Sequence, residues 1–286
     1  MQLIHSGTDI NHWKNPGAFY IAAIVNSNFS NKEQEEFRKT VSLYDSCFGL
    51  AKQNKIPESR IKYEECCVAN KITTPRLQDW IMAFYGQRLC YYHYRSGNYS
   101  DGIALTGEIM KSVRLLRQKG YQYLFFVEIQ QQLNLSRIYF ELNEVDKAIS
   151  ICTDSMFNIY RKAGSFITDN LVNDVPENEL IEATQFGMMI ELLAGTCNRV
   201  LFKLKDDADI LERSIGAFIV PLLPLDFCSL SSSPRYECIN RFVSLMGGLS
   251  GDKELRDDDI LFFMNSPHAD KKLVDVLNYC ISLIDT

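Results

Sequence analysis

Glycine and proline are scarce in this 286-residue chain, at 15 and 8 residues. That scarcity disfavours a fold of many short strands joined by tight turns and favours long uninterrupted elements. Runs of Lys or Arg are missing as well. With a net charge of −6 and a pI near 5.4, the chain lacks the cluster of cations that a duplex-binding surface places against phosphates. Nucleic acid is therefore not an expected partner. No stretch approaches the roughly 18 apolar residues of a membrane span, so no membrane partner is expected either. Sustained apolar–polar alternation is absent too, which argues against a sheet. No CxxC pair occurs among the nine cysteines (47, 66, 67, 90, 152, 197, 228, 238, 280). Zinc sites need close Cys/His pairs, and disulfide frameworks belong to shorter, Cys-denser chains. The thiols read as small apolar residues in a reducing compartment. Met1-Gln2-Leu3-Ile4-His5-Ser6-Gly7 shows no basic stretch followed by an apolar one, so a cytoplasmic protein is expected.

What is present is helix. Hydrophobic residues make up 46% and charged residues 23%, ordinary globular usage that supports a substantial core. Asn15-Pro16 opens an apolar segment through Val25, with Pro at the first helical position. Ser30 with Glu33 has the capping-box form. Behind it Phe37, Val41, Tyr44, Phe48 and Ala51 form one apolar stripe. Ile56-Pro57 starts another helix, running to about Ala69. Thr74-Pro75 marks the next start, and Leu77 to Arg95 is apolar on more than one face, as expected of a helix sandwiched between neighbours. Ser96-Gly97-Asn98 breaks it, and Ser100 is expected to cap the helix that follows. Tyr121–Leu142 and Glu144–Lys162 repeat the pattern about a break at Asn143. Gly164 is a terminator, and a loop rich in Asn and Asp covers 168–178. A third helix from about Glu179 to Leu204 precedes a partner over 210–220, interrupted by Asp206 and Asp207. After Pro221 and Pro224, shorter helices are expected, with Gly247-Gly248 and Gly251 supplying a turn.

Superposing the two breaks, Gly97 and Asn143, 46 residues apart, places Leu89 on Leu135, Cys90 on Ser136 and His93 on Tyr139. It also places Tyr94 on Phe140, Tyr99 on Val145, Gly102 on Ala148 and Ile103 on Ile149. A small residue at Gly102 or Ala148 lets two helices cross closely. The series of Leu, small residue, aromatic, turn, aromatic and small residue resembles the tetratricopeptide repeat. Leu135–Ile149 matches best, Leu89–Ile103 next, and Asn198–Ile215 weakly. The family period is 34 residues, so each unit here is about 12 residues longer, and the family's last-position Pro is missing.

The resemblance implies an all-α fold: a right-handed superhelical stack of antiparallel helix hairpins over 74–220. It would have an N-terminal helical cap or small bundle (1–73) and C-terminal capping helices (221–286), either as separate regions or as one continuous domain. It also implies a concave groove lined by the first helix of each hairpin. Carried over, the lining positions are Gln87, Arg88, Tyr91, Tyr94 and Arg95 in the first hairpin, and Gln130, Asn134, Arg137 and Glu141 in the second. Planar donors and aromatic faces of this kind suit a protein or extended peptide. Some family members clamp a C-terminal carboxylate with Lys and Asn. Gln87 and Tyr91 stand at those positions here and only Asn134 survives, so capture of chaperone tails is not implied.

Chemistry is otherwise thin. His5, Asp9 and His12 form the one His/carboxylate cluster and read as a polar terminus rather than a metal site. His93 falls at an aromatic position and reads as a packing residue. Cys66-Cys67 lacks a neighbouring base, and adjacent cysteines rarely bridge. The 247–251 stretch is neither a nucleophile elbow nor a phosphate loop. No catalytic group, metal or cofactor is expected. The function implied is a non-enzymatic protein- or peptide-binding module or scaffold. The alternative is a peptide-responsive regulatory sensor controlling another protein, and an enzyme in a helical fold is the least favoured reading.

Overall fold

A computed structural model of the chain describes residues 16–162, 177–249 and 257–284, and these are all-α, with no strand among them. In order the helices are α1 (Pro16–Asn28), α2 (Asn31–Lys52), α3 (Ile56–Ile72), α4 (Pro75–Ser96), α5 (Tyr99–Gln118), α6 (Leu124–Glu141) and α7 (Val145–Lys162). They continue with α8 (Glu177–Leu204), α9 (Ala208–Ile219), α10 (Pro234–Leu249), α11 (Asp257–Asn265) and α12 (Lys271–Ile284). Two 3-10 turns, Val220–Leu222 and Phe227–Leu230, follow α9. Among the described residues no helix is long and apolar enough to cross a membrane. His5, Asp9, His12, Gly164, Gly251 and the loop of 168–176 lie outside the described residues.

The described residues fall into two compact units. The first holds those up to Gln131 with α8 as far as Thr184, and the second runs from Gln132 to 162 and from Gln185 onward. In the first unit α2 packs against both α3 and α4, and α4 against α5. Its core is aromatic. Tyr20 of α1 stacks on Tyr123 at 4.3 Å between ring centroids, and Tyr44, Leu77, Trp80, Ile81 and Phe126 are buried in the same unit. Each fully buried side chain of this size is worth about 2 kcal/mol in water removed from apolar surface. Burial pushes the phenols of Tyr20 and Tyr44 well above the ordinary range, and that of Tyr123, which pairs with Thr184 Oγ1 at 3.1 Å, to about 12. In the second unit α7 packs on α9, α9 on α10, and α10 on α11 and α12. Phe140, Met156, Leu193, Cys197, Phe218, Phe242 and Phe263 are buried there.

Local signals act as the sequence suggests at several starts. Ser30 and Glu33 form the capping box: Ser30 N donates to Glu33 Oε2 at 2.8 Å, and Ser30 Oγ accepts from Glu33 N at 3.4 Å. Asp207 Oδ1 accepts from Ile210 N at 3.1 Å and caps α9. α4 is buried along Leu77, Trp80, Ile81, Ala83, Gly86, Leu89, Cys90, Tyr92 and His93, the profile of a helix enclosed by α2, α3 and α5.

Four details differ from the sequence expectation. The buried stripe of α2 is Phe37, Thr40, Tyr44, Cys47 and Ala51, rotated so that Val41 and Phe48 are only half-buried. Thr74 does not cap α4. Its N–H and hydroxyl both donate to the Glu36 carboxylate of α2, at 2.7 and 3.0 Å, so the hydroxyl that could accept a cap bond is engaged as a long-range donor instead. Ser100 lies inside α5, which begins after Asn98. Gly247 and Gly248 lie within α10 rather than in a turn. A Cβ on Gly247 would come within 2.9 Å of Leu223 Cδ2, so at Gly247 the missing side chain gives close approach, not chain reversal.

Candidate binding face on the hairpins

The turn joining α4 to α5 and the turn joining α6 to α7 are built alike. Gly97 and Asn143 both have left-handed backbones, with φ of 75° and 59°. Each ends its helix in a Schellman motif. Gly97 N donates to Tyr94 O at 3.4 Å and Asn98 N to His93 O at 2.9 Å. In the second hairpin Asn143 N donates to Phe140 O at 3.2 Å and Glu144 N to Tyr139 O at 2.9 Å.

A third copy, not visible in the sequence comparison, lies at α2–α3. Asn54 has φ 60°, Asn54 N donates to Ala51 O at 3.1 Å, and Lys55 N to Leu50 O at 3.0 Å. Its spacing to Gly97 is 43 residues rather than 46. The first bond of the second helix also recurs: Ser59 N to Lys55 O, Gly102 N to Asn98 O and Ala148 N to Glu144 O, at 2.9, 3.0 and 3.0 Å. Ser59, Gly102 and Ala148 are buried at the crossing of the two helices. Seven residues before each turn stand Cys47, Cys90 and Ser136, all three buried. Cys47 Sγ approaches Ser59 O at 3.5 Å and Cys90 Sγ approaches Gly102 O at 3.9 Å.

With the three turns superposed, the positions that line the first helix of each hairpin can be compared. Nine residues before the turn stand Asp45, Arg88 and Asn134; six before it, Phe48, Tyr91 and Arg137; two before it, Lys52, Arg95 and Glu141. In the first unit the first two of these positions meet their own equivalents on the adjacent helix. Arg88 Nη1 forms an ion pair with Asp45 Oδ1, and its guanidinium lies 4.4 Å from the Tyr85 ring centroid. Tyr91 packs edge-on against Phe48 at 5.0 Å. Arg95 Nη2 donates to Asn54 Oδ1 at 3.1 Å, while the Lys52 ammonium lies 4.9 Å over the Phe48 ring. Tyr94 lies 6.0 Å from Tyr91 and 6.3 Å from Tyr99. The result is one row of half-buried rings, Phe48–Tyr91–Tyr94–Tyr99, ending at the turns and flanked by exposed cations. Gln87 and Gln130 are half-buried, and Gln87 Nε2 donates to Phe84 O at 3.4 Å.

In the second unit the corresponding side chains tie helices together through charge. Arg137 donates to Asn134 Oδ1 at 3.1 Å and to Glu191 Oε1 at 2.6 Å, and Lys272 Nζ of α12 completes Glu191 at 2.8 Å. Burial pushes the Glu191 carboxyl up, but the hydrogen bond and charge of Lys272, with Arg137, outweigh it and hold it below 4.5. Glu141 accepts from Lys203 Nζ at 3.0 Å, with Arg199 Nη1 at 3.8 Å. Asp45, Phe48, Lys52 and Tyr99 were not among the lining positions drawn from the sequence; superposing Asn54 on Gly97 would have found the first three.

His93 packs as expected, buried between Tyr63 at 4.8 Å and Tyr92 at 5.2 Å, and burial lowers its pKa against a smaller opposing effect of Asp101. Cys66 and Cys67 are free thiols. Burial pushes Cys66 up to about 12 and Cys90 up to about 11, the opposite of an activated nucleophile. A cleft of about 550 Å³ lies between α10 and α11, with Pro234, Glu237, Arg241, Phe262 and His268 in its walls. Arg241 lies 4.0 Å over Phe262 and pairs with Glu237 at 2.8 Å, so the two opposed charges of this cleft engage each other.

Compared with known proteins, the chain matches no family model, no curated protein and no solved structure.

Proposed function

We propose that this chain is a non-enzymatic binding module of tetratricopeptide-like hairpins that holds an extended segment of another protein against α2 and α4. The observation that carries this reading is the register of lining positions. Asp45 and Arg88, then Phe48 and Tyr91, pair across two neighbouring helices, each partner at the same distance from its own helix's turn. Lys52 and Arg95 continue the series one turn on. Packed helices stand about 8–10 Å apart, and an extended chain advances about 3.3 Å per residue. A segment crossing both helices therefore presents every third residue or so to an equivalent position. The ion pairs and ring contacts between helices preorganise the face, which lowers the ordering cost of binding. Tyrosine suits the role because it offers a large area at little conformational cost. The polar positions of the second unit (Asn134, Arg137 and Glu141) hold α6 to α8, and through Glu191 to α12.

Selection of a random-peptide display library on the full chain tests this reading. Wild type is expected to enrich defined sequence families, and Tyr91→Ala to lose them while keeping its helical circular dichroism and cooperative melting. Failure of wild type to enrich any family, or recovery of the same families by Tyr91→Ala, would overturn it.

A further inference from the structure

The ring row has a charge environment that narrows what it can hold. Across the whole chain carboxylates outnumber Lys and Arg, 36 to 30. At the turn end of α2 and α4 the balance is reversed. Lys52, Lys55 and Arg95 are exposed there, and among the described residues none of the three is in an ion pair with a carboxylate. The C-terminal dipoles of α2 and α4 favour Lys52 and Arg95 in their last turns, and the Arg95–Asn54 bond engages one of five guanidinium N–H groups. Two of the nearby carboxylates, Glu58 and Asp101, are exposed in the first turns of α3 and α5, which leaves the three cations in excess. Asp45 is paired with Arg88, and Asp101 acts on Tyr63 and His93. By contrast, Arg114 and Arg117 of α5 are both engaged, sharing Glu128.

We infer that the ligand of the α2/α4 face is an acidic peptide segment with an aromatic anchor, its ring seated on the Phe48–Tyr91–Tyr94–Tyr99 row and its carboxylates on Lys52, Lys55 and Arg95. This rests on the binding-module reading above. Rings that meet at 72° and 60°, with a tilted 34° pair between them, present edges as well as faces, which suits a side chain docked edge-to-face. They do not form the succession of parallel open faces that stacks nucleotide bases. Three exposed cations also match a few carboxylates better than a phosphate backbone, whose neutralisation takes more.

Parallel library selections on wild type and on the charge-reversed Lys52→Glu/Arg95→Glu protein separate the possibilities, because both substitutions are exposed and leave the core intact. Wild type is expected to enrich peptides of net negative charge that contain Trp, Tyr or Phe. A synthetic copy of an enriched peptide, followed by fluorescence anisotropy, should bind the reversed protein about tenfold or more weakly and should weaken as salt is raised. Enrichment of neutral or basic peptides that Tyr91→Ala no longer binds would keep the binding face and overturn the acidic ligand. Tighter binding of single-stranded oligothymidine than of the peptide would overturn it in favour of nucleic acid. No enrichment by wild type at all would defeat the underlying reading together with this one.

Discussion

The hairpins α4–α5 and α6–α7 share a backbone and differ in nearly everything that fills it. Both turn on a left-handed residue, close with the same pair of bonds and start their second helix with the same contact. Between the helices the chemistry is exchanged. Cys90 Sγ meets Thr106 Oγ1 at 3.5 Å in one, and Cys152 Sγ donates to Ser136 Oγ at 3.2 Å in the other, the sulfur and hydroxyl having traded helices. One turn further back, Gly86 lets Ile109 approach so closely that a Cβ would stand 2.7 Å from its Cγ1. The equivalent pair, Gln132 and Ser155, is joined by a 2.8 Å hydrogen bond. The hairpin therefore depends on turn geometry and on a filled crossing, and a weak polar pair and an apolar contact fill that crossing equally well. Side chains that face outward diverge further, into rings in one and charges in the other.

The largest expected effect breaks this equivalence at the crossing. Gly86→Val should destabilise the protein by about 3 kcal/mol through overpacking against Ile109. Gln132→Val should cost only about 1 kcal/mol, since Ser155 Oγ keeps its bond to Ile151 O. Urea denaturation of both variants checks this, and equal losses would contradict the stated difference in how the two crossings are filled.

Turn residues come next. Gly97→Ala is expected to cost about 1 kcal/mol because alanine resists positive φ. Asn143→Gly and Asn54→Gly should be neutral or slightly stabilising. Thermal melts of the three variants give the comparison directly, and a stabilised Gly97→Ala would contradict the left-handed turn.

A smaller effect separates the hairpins by pH. His93 in α4 corresponds to Tyr139 in α6, and burial holds His93 below its ordinary value of 6.5. The unfolded chain thus takes up a proton before the folded one does, so His93 costs stability as pH falls below 6.5, until the pH reaches its folded pKa. His93→Tyr should remove this contribution, flattening the stability profile just below pH 6.5 while leaving it unchanged above pH 7. Denaturation at a series of pH values is the check, with an unchanged slope as the contrary result.

The smallest effect is the exchange of the buried pair. Cys90→Ser with Thr106→Cys recreates the arrangement of Ser136 and Cys152, and should change stability by less than about 1 kcal/mol. A clearly larger loss would show that the two interiors are not interchangeable.

Helix existence, most boundaries and two of the three hairpin turns were legible in the sequence, because capping, proline placement and left-handed preference act within a few residues. Ser30 with Glu33, Gly97 and Asn143 are of this kind. The α2–α3 copy was hidden because its small residue is Ser59, its following residue Arg60 is charged where the others have Ile, and its spacing is shorter. The face of α2 was misassigned for a related reason. Phe48 fits the apolar stripe by periodicity, yet its partner Tyr91 lies on another helix 43 residues away, and only the packed structure shows which face that partner occupies. Gly247 was read as a turn because its packing against Leu223 is equally non-local.

Of the lining residues, the sequence placed Arg88, Tyr91, Arg95, Asn134, Arg137 and Glu141 at turn-relative positions that the structure keeps. It could not show that Arg88 is matched by Asp45, or Arg137 by Glu191. By itself, then, the sequence determined that this chain is helical and where several of its helices break, since those are consequences of short-range backbone and side-chain chemistry. Tertiary structure alone decided which faces meet, how many hairpins share one design, and which charges have partners, because those depend on surfaces brought together from distant parts of the chain.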